Sequence, residues 1–273
     1  MKAPVWLRHW GLSEAPFDKD INADELWLPS SKEDVVTQLV DAAHAHQHML
    51  LTGEPGIGKT CTLRALRQRL PDEGFRLTYC SNATLGRRDF YRQLCRAVGL
   101  QPKATAAAVF DALAEHVEQL GRESVHAVFL IDEAHLLRQD VLEHLHVLAN
   151  YQWDQKPLLS IALVGLPELW TTLTLRKNRS LWSRIHCRVG LTNPSPADTV
   201  EYLQHRLGRV GARKGVFASD ALTLLHEGTG GLLRDIDRIA TAALQSASRR
   251  KLETIDRDVV RDVLKRDTAP PMD

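Results

Sequence analysis

One stretch constrains this chain more than any other: His48-Met-Leu-Leu-Thr-Gly-Glu-Pro-Gly-Ile-Gly-Lys-Thr-Cys61. Met49 to Thr52 read as a buried strand, and Gly53, Glu54, Pro55, Gly56, Ile57 and Gly58 as a glycine-rich turn. Lys59, Thr60 and Cys61 then open a helix that runs through Leu70. The turn fits G-x-x-x-x-G-K-[ST] at every fixed position. Glycine tolerates positive φ, so successive backbone N–H groups can converge on one anion-sized hollow. The N-terminus of the following helix adds its partial positive charge there. Lys59 is placed to reach β- and γ-phosphates, and the Thr60 hydroxyl to sit on Mg²⁺. The stretch therefore predicts a nucleoside-triphosphate site.

The second half of such a site follows a second strand. Val125-His-Ala-Val-Phe-Leu-Ile131 is a nearly continuous apolar run, the signature of a central parallel strand, and it ends in Asp132-Glu133-Ala-His135. An acid at that position suits the magnesium shell opposite Thr60, and a second acid beside it suits general-base work on the attacking water. Asp132 is thus the expected magnesium ligand and Glu133 the expected base. A hydrophobic strand ending in two acids is common; roughly seventy residues after a phosphate-binding loop it becomes specific. Two arginines qualify for charge stabilisation: Arg184, just before the last strand, and Arg234, at the start of a long helix.

Around these motifs, apolar strands alternate with helical stretches. Strands are expected at Phe75–Cys80, Leu158–Val164 and Cys187–Leu191, and helices from Ser30, from Gly86 to Val98, from Lys103 to Leu120 and from Asp140 to Gln152. That alternation implies right-handed βαβ units and a parallel sheet with helices on both faces. Past Thr192-Asn-Pro-Ser-Pro196 only helices follow, with Ser195 or Asp198, Ser219 and Asp256 as expected caps. The expected organisation is a nucleotide-binding α/β domain over 1–191 and a small helical lid over 192–273. The N-terminal aromatics Trp6, Trp10 and Phe17 suit either a contact to the nucleotide base or a hydrophobic cover over the core.

Composition narrows the class. A formal net charge of +1 over 273 residues argues against wholesale coating of nucleic acid but allows a local basic surface. Four scattered cysteines (Cys61, Cys80, Cys95, Cys187) have neither zinc nor C-x-x-C spacing and read as reduced thiols. No secretory leader and no membrane-length apolar run is evident, so a cytoplasmic, membrane-free protein is expected. His44, His46 and His48 alternate, which would align three imidazoles only on a strand; the segment reads instead as a helix-to-strand turn.

With these residues in place, the chain resembles the AAA+ ATPases, and within them the ExeA/general-secretion-protein-A type. Trp10-Gly-Leu-Ser-Glu-Ala-Pro-Phe17 is similar to that family's F-G-L-x-x-x-P-F entry, Leu163-Val-Gly-Leu-Pro-Glu-Leu169 to its L-V-G-Q-P-E-L, and Gly230-Gly-Leu-Leu-Arg234 to its G-G-x-P-R. Two positions depart from the pattern. Leu166 stands in place of the polar glutamine of the first sensor, and Leu233 in place of the proline before Arg234. The resemblance implies ATP as nucleotide and Mg²⁺ as its metal. Secretion-type members continue into a membrane span, whereas this sequence stops after the lid. It therefore looks like stand-alone transposition helpers with a role like TniB, TnsC or IstB. That likeness implies an ATP-dependent homo-oligomer, ring or helical filament, which binds duplex DNA and serves a DDE transposase.

Independently of resemblance, Arg176 to Arg188 lies in a stretch with no acid between Glu168 and Asp198. Arg176, Lys177 and Arg179 are its DNA-binding candidates, with a subunit interface as the other use for such arginines. Two functions stay open: a DNA-binding transposition helper, or an ATPase that assists a secretion or surface-polymer system through protein partners. A metabolic kinase is disfavoured, since no acceptor-substrate segment is visible.

Overall fold

The computed structural model describes residues 4–103, 105–150 and 156–268. In chain order the helices are α1 (Val5–Trp10), α2 (Ser30–His44), α3 (Lys59–Arg69), α4 (Arg87–Ala97), α5 (Ala106–Arg122), α6 (Gln139–Leu148), α7 (Glu168–Thr174), α8 (Arg179–Trp182), α9 (Pro196–Arg209), α10 (Ser219–Thr229), α11 (Leu233–Arg249) and α12 (Arg257–Thr268). The strands are β1 (His48–Thr52), β2 (Phe75–Cys80), β3 (His126–Ile131), β4 (Leu159–Gly165) and β5 (Ile185–Gly190). Two compact units form: Ser30–Glu54 with Lys59–Leu191, and Met1–Pro29 with Pro55–Gly58 and Thr192–Asp273.

In the first unit the five strands make one parallel sheet in the order β2-β3-β4-β1-β5, the α/β architecture the sequence predicts. β3 and β4 are buried along their whole length, which is why they read as unbroken apolar runs rather than alternating ones. Phe90, Leu94, Val109, Leu113, Val117, Leu142 and Leu145 of α4, α5 and α6 pack with Phe129, Ile131, Ile161 and Leu163 in one cluster. Thr105 caps α5 by accepting from the Ala108 N–H, so this helix starts later than Lys103 and runs on to Arg122. α6 begins at Gln139; residues 151 and 152, the expected end of that helix, lie outside the described residues.

The second unit is helical. Ser195 and Asp198 form a capping box at the start of α9, each side chain accepting from the other's backbone N–H. Asp256 accepts from the Val259 N–H at the start of α12. Ser219 is the first residue of α10 rather than its cap, because Ala218 takes the extended N-cap conformation.

The N-terminal segment, expected with the sheet, shares its core with these helices. Leu7, Trp10, Leu12 and Trp27 are buried in one cluster with Tyr202, Leu203, Ile236, Ala240 and Leu244. Polar contacts fix it there. The Trp10 indole N–H donates to the Leu244 carbonyl at 2.9 Å. Arg206, 6% exposed, donates to the Pro16 and Asp18 carbonyls. Tyr202 donates to Asp237, whose carboxyl is pushed up to about 6, chiefly by burial. Of the two uses expected for these aromatics, the structure thus displays anchoring, on the helical core.

The alternating histidines occupy a turn. His44 ends α2, His46 has φ 55°, and His48 begins β1, where its Nδ1 accepts from the Ile161 N–H. Among the described residues no group of three His, Cys, Asp or Glu side chains is arranged to hold a metal. Instead the His46 ring stacks on buried His126 at 3.9 Å, and His126 Nε2 lies 2.8 Å from Ser160 Oγ. Burial, and then His46 and His48, push His126 down to about 3. Its folded pKa thus lies below the unfolded value of 6.5. The unfolded chain takes up this proton first, and stability falls as the pH drops from 6.5 toward 3, at up to about 1.4 kcal/mol per pH unit for this one group. In urea titrations between pH 7 and pH 4, His126→Gln should flatten the pH dependence of the midpoint. Equal slopes for variant and parent would exclude His126 as the source.

Candidate active site

The phosphate-binding loop begins where β1 ends. The Gly53 N–H donates to the Gly165 carbonyl at 3.2 Å, which ties the first glycine of the loop to the end of β4. Positive φ is confined to Gly56 (82°) and Gly58 (110°), so those two glycines do the turning. Gly56 has a second reason to lack a side chain: an added Cβ would lie 2.7 Å from the Arg234 Cβ. The Arg234 N–H donates to the Gly56 carbonyl at 3.3 Å, while the rest of the arginine is exposed. The start of α11 is therefore in direct contact with the tip of the loop. Lys59, 8% exposed, directs its ammonium back over the loop, donating to the Gly53 carbonyl at 2.7 Å and the Glu54 carbonyl at 3.1 Å. Thr60 and Cys61 follow in the first turn of α3, Thr60 exposed and Cys61 half-buried.

Asp132 and Glu133, adjacent in sequence, sit in opposite environments. Asp132 is 6% exposed and accepts twice, from the Tyr79 hydroxyl at 2.7 Å and from the Glu133 N–H at 2.9 Å. The Tyr79 phenol is driven above its ordinary range, first by burial and then by the Asp132 carboxylate it donates to. Glu133 takes a left-handed backbone, φ 53° and ψ 34°, unusual for a residue with a Cβ, and its side chain stands half exposed. The chain thus turns sharply after β3, burying one carboxylate and presenting the other.

This donor set fits a magnesium nucleotide. A buried carboxylate and a threonine hydroxyl are hard oxygen ligands, and the carboxylate keeps lone pairs beyond its two hydrogen bonds. Gly56 and Gly58 give the loop the backbone that anion cradling requires.

The remaining candidates lie elsewhere. Arg184 directs its guanidinium to the Ser180 carbonyl at 3.3 Å and depresses His146 from nearby, second to burial. Arg176, Lys177 and Arg179 are exposed on the short helical turns before β5, and none makes an ion pair among the described residues. Two residues at the site carried no role from sequence. Tyr79 meets Asp132 because β2 pairs with β3 in parallel, Cys80 opposite Ile131. His135 reaches Glu133 through the one-turn 3-10 helix Ala134–Leu136. The alternation of β2 could have singled out Tyr79 once the sheet order was known; nothing in the local pattern singled out His135.

Comparison with known proteins bears on the fold that carries these residues. Residues 42–173 match a family model described as an AAA domain. The chain is 33% identical over 246 residues to general secretion pathway protein A of Aeromonas hydrophila, covering 89% of this chain but 45% of that protein. It therefore spans about half the length of that relative. Among solved structures it resembles Cdc6p of Pyrobaculum aerophilum, with a TM-score of 0.74, 18% identity and coverage of 93% of this chain and 71% of the other. It also resembles the ORC1 protein of Aeropyrum pernix in complex with DNA, with a TM-score of 0.67, 18% identity and coverage of 92% and 68%. Residues 42–173 are thus similar to AAA domains, and the chain shares the fold of those solved structures.

Proposed function

We propose that this chain hydrolyses ATP and uses its nucleotide state to control binding of duplex DNA, as a helper ATPase that delivers target DNA to a DDE transposase. The observation that carries the DNA part is the exposure of Arg176, Lys177 and Arg179, in a stretch of sequence without acids between Glu168 and Asp198, on a nearly neutral protein. In a ring or helical assembly one such cluster per subunit would repeat along a groove, so that weak phosphate contacts add up. The likeness in fold to a protein solved in complex with DNA is compatible with it.

In the hydrolysis reaction Asp132 and Thr60 would hold Mg²⁺, which supplies charge neutralisation at the phosphates. Lys59 contributes a fixed positive charge over the loop, and Glu133, exposed beside buried Asp132, takes the proton of the attacking water. Arg234, in backbone contact with Gly56, adds charge from its own subunit, and Arg184 from a neighbouring one.

A second reading has its own support. The 33% identical relative is named for a general secretion pathway, which favours an ATPase acting on protein partners. No helix among the described residues is long and apolar enough to cross a membrane.

Three outcomes follow from the proposal. Glu133→Gln should keep nucleotide binding while turnover falls on the order of a hundredfold, whereas Lys59→Ala should lose binding itself, read with a fluorescent ATP analogue. Normal turnover in the glutamine variant removes Glu133 from the role. If Arg184 acts in trans, mixing Arg184→Ala with Lys59→Ala protein should restore part of the hydrolysis that each lacks alone; additive, inactive mixtures argue against a shared site. DNA decides between the two functions. Binding to random duplex should require ATP, weaken steeply as salt rises, and disappear on reversing Arg176 and Lys177 to glutamate. No ATP-dependent binding even at low salt would favour the protein-partner reading.

A further inference from the structure

We propose that His135 is a positioning residue for Glu133, acting through one ring nitrogen that it shares between the Glu133 carboxylate and the backbone N–H of Leu166. The inference rests on Glu133 being the general base.

His135 Nδ1 lies 3.4 Å from the Leu166 nitrogen and 3.6 Å from Glu133 Oε2. A ring nitrogen with a lone pair accepts, and one with a proton donates. Nδ1 therefore serves only one of these partners at a time. When it accepts from Leu166, the carboxylate contact stays beyond hydrogen-bond length, as it is here. When it carries the proton, it donates to Glu133 and the Leu166 N–H is released. The imidazole is a two-position link between the base and the segment that leads from β4 into α7.

The surroundings are built for that ring. Its side chain is 16% exposed. A Cβ added at Gly165 would stand 3.1 Å from the His135 nitrogen, 3.3 Å from Nδ1 and 3.0 Å from Leu169 Cδ2, so the glycine leaves the room the histidine occupies. The Gly165 carbonyl is the same one that anchors Gly53 of the phosphate-binding loop. One peptide unit, Gly165–Leu166, thus touches both the loop and, through His135, the base. The side chain of Leu166 is apolar and offers the base no hydrogen bond, whereas the imidazole stands 3.6 Å from it. Glu133 stands half exposed on a left-handed backbone, and among the described residues the His135 imidazole is the ion-pair partner of its carboxylate.

The test separates Nδ1 from Nε2 by shape. The side-chain amide of asparagine falls near the position of Nδ1, and that of glutamine near Nε2. His135→Ala should lower kcat for ATP about tenfold or more, with KM and nucleotide affinity unchanged. His135→Asn should recover most of the loss and His135→Gln should not. In the Glu133→Gln background, His135→Ala should cost nothing further, since the two residues act as one unit. Unchanged kcat in His135→Ala, rescue by Gln instead of Asn, or a full additional loss in the double variant would each overturn the proposal. If Glu133→Gln alone hydrolyses normally, the base assignment has failed rather than the link. A readout free of turnover uses the parent protein. Long-range ¹⁵N spectra of the His135 ring should show an unprotonated Nδ1 without nucleotide and a changed Nδ1 signal with a non-hydrolysable ATP analogue. An unchanged signal in nucleotide-saturated protein also overturns it.

Discussion

The site depends on the parallel pairing of β1 with β4. That register sets Thr52 opposite Gly165, so the strand that launches the phosphate-binding loop ends level with the strand that braces it. The Gly53–Gly165 hydrogen bond extends the same ladder by one step into the loop. On the other side of β4, Leu163 pairs with Ile131, which brings Asp132 to the same end of the sheet. A slip of one residue in either pair would flip every side chain to the other face and separate the loop from its acids. Buried strands on both sides make such a slip costly, since Met49, Leu50, Leu51 and all of β3 and β4 lie in the core.

From that frame follows a division of labour between neighbouring charges. Asp132 is held by two hydrogen bonds in a buried position, where its geometry is fixed. Glu133 is turned out by a left-handed backbone, and its side chain stands half exposed. On the proposed reading, a fixed buried charge suits a metal ligand, and an exposed carboxylate beside it suits proton transfer. The price of the arrangement is a strained residue at φ 53°, of order 1–3 kcal/mol for a side chain with a Cβ.

Legibility from sequence followed the range of the interactions. The loop, the acids after β3 and the parallel class rest on contiguous residues and on periods of two or of unbroken apolarity, so they could be read directly. The capping box at Ser195 is equally local, a hydroxyl and a carboxylate three residues apart. What escaped was set by residues far apart in the chain. Tyr79 reaches Asp132 across 53 positions, and Arg206 reaches Pro16 across 190. The N-terminal segment, adjacent in sequence to the sheet, belongs by its contacts to the helical unit. Trp10 reads as a hydrophobic cover or a base contact, and what decides its place, the Leu244 carbonyl, lies 234 positions away. Short helices such as α7 and α8 were missed because seven and four residues carry too little periodicity to stand out.

The interleaved make-up of the helical unit bears on how the protein is made. Its first strip, up to Pro29, leaves the ribosome long before Thr192–Asp273, with the residues of the sheet unit synthesised in between. At ordinary rates of elongation that gap lasts on the order of ten to thirty seconds. Throughout it, Trp10 and Trp27 have none of the helices that later bury them, while nearly all of the sheet can already assemble. The apolar side chains of Leu7, Trp10 and Trp27 therefore wait for their partners, and the helical unit closes only after synthesis of its last helices.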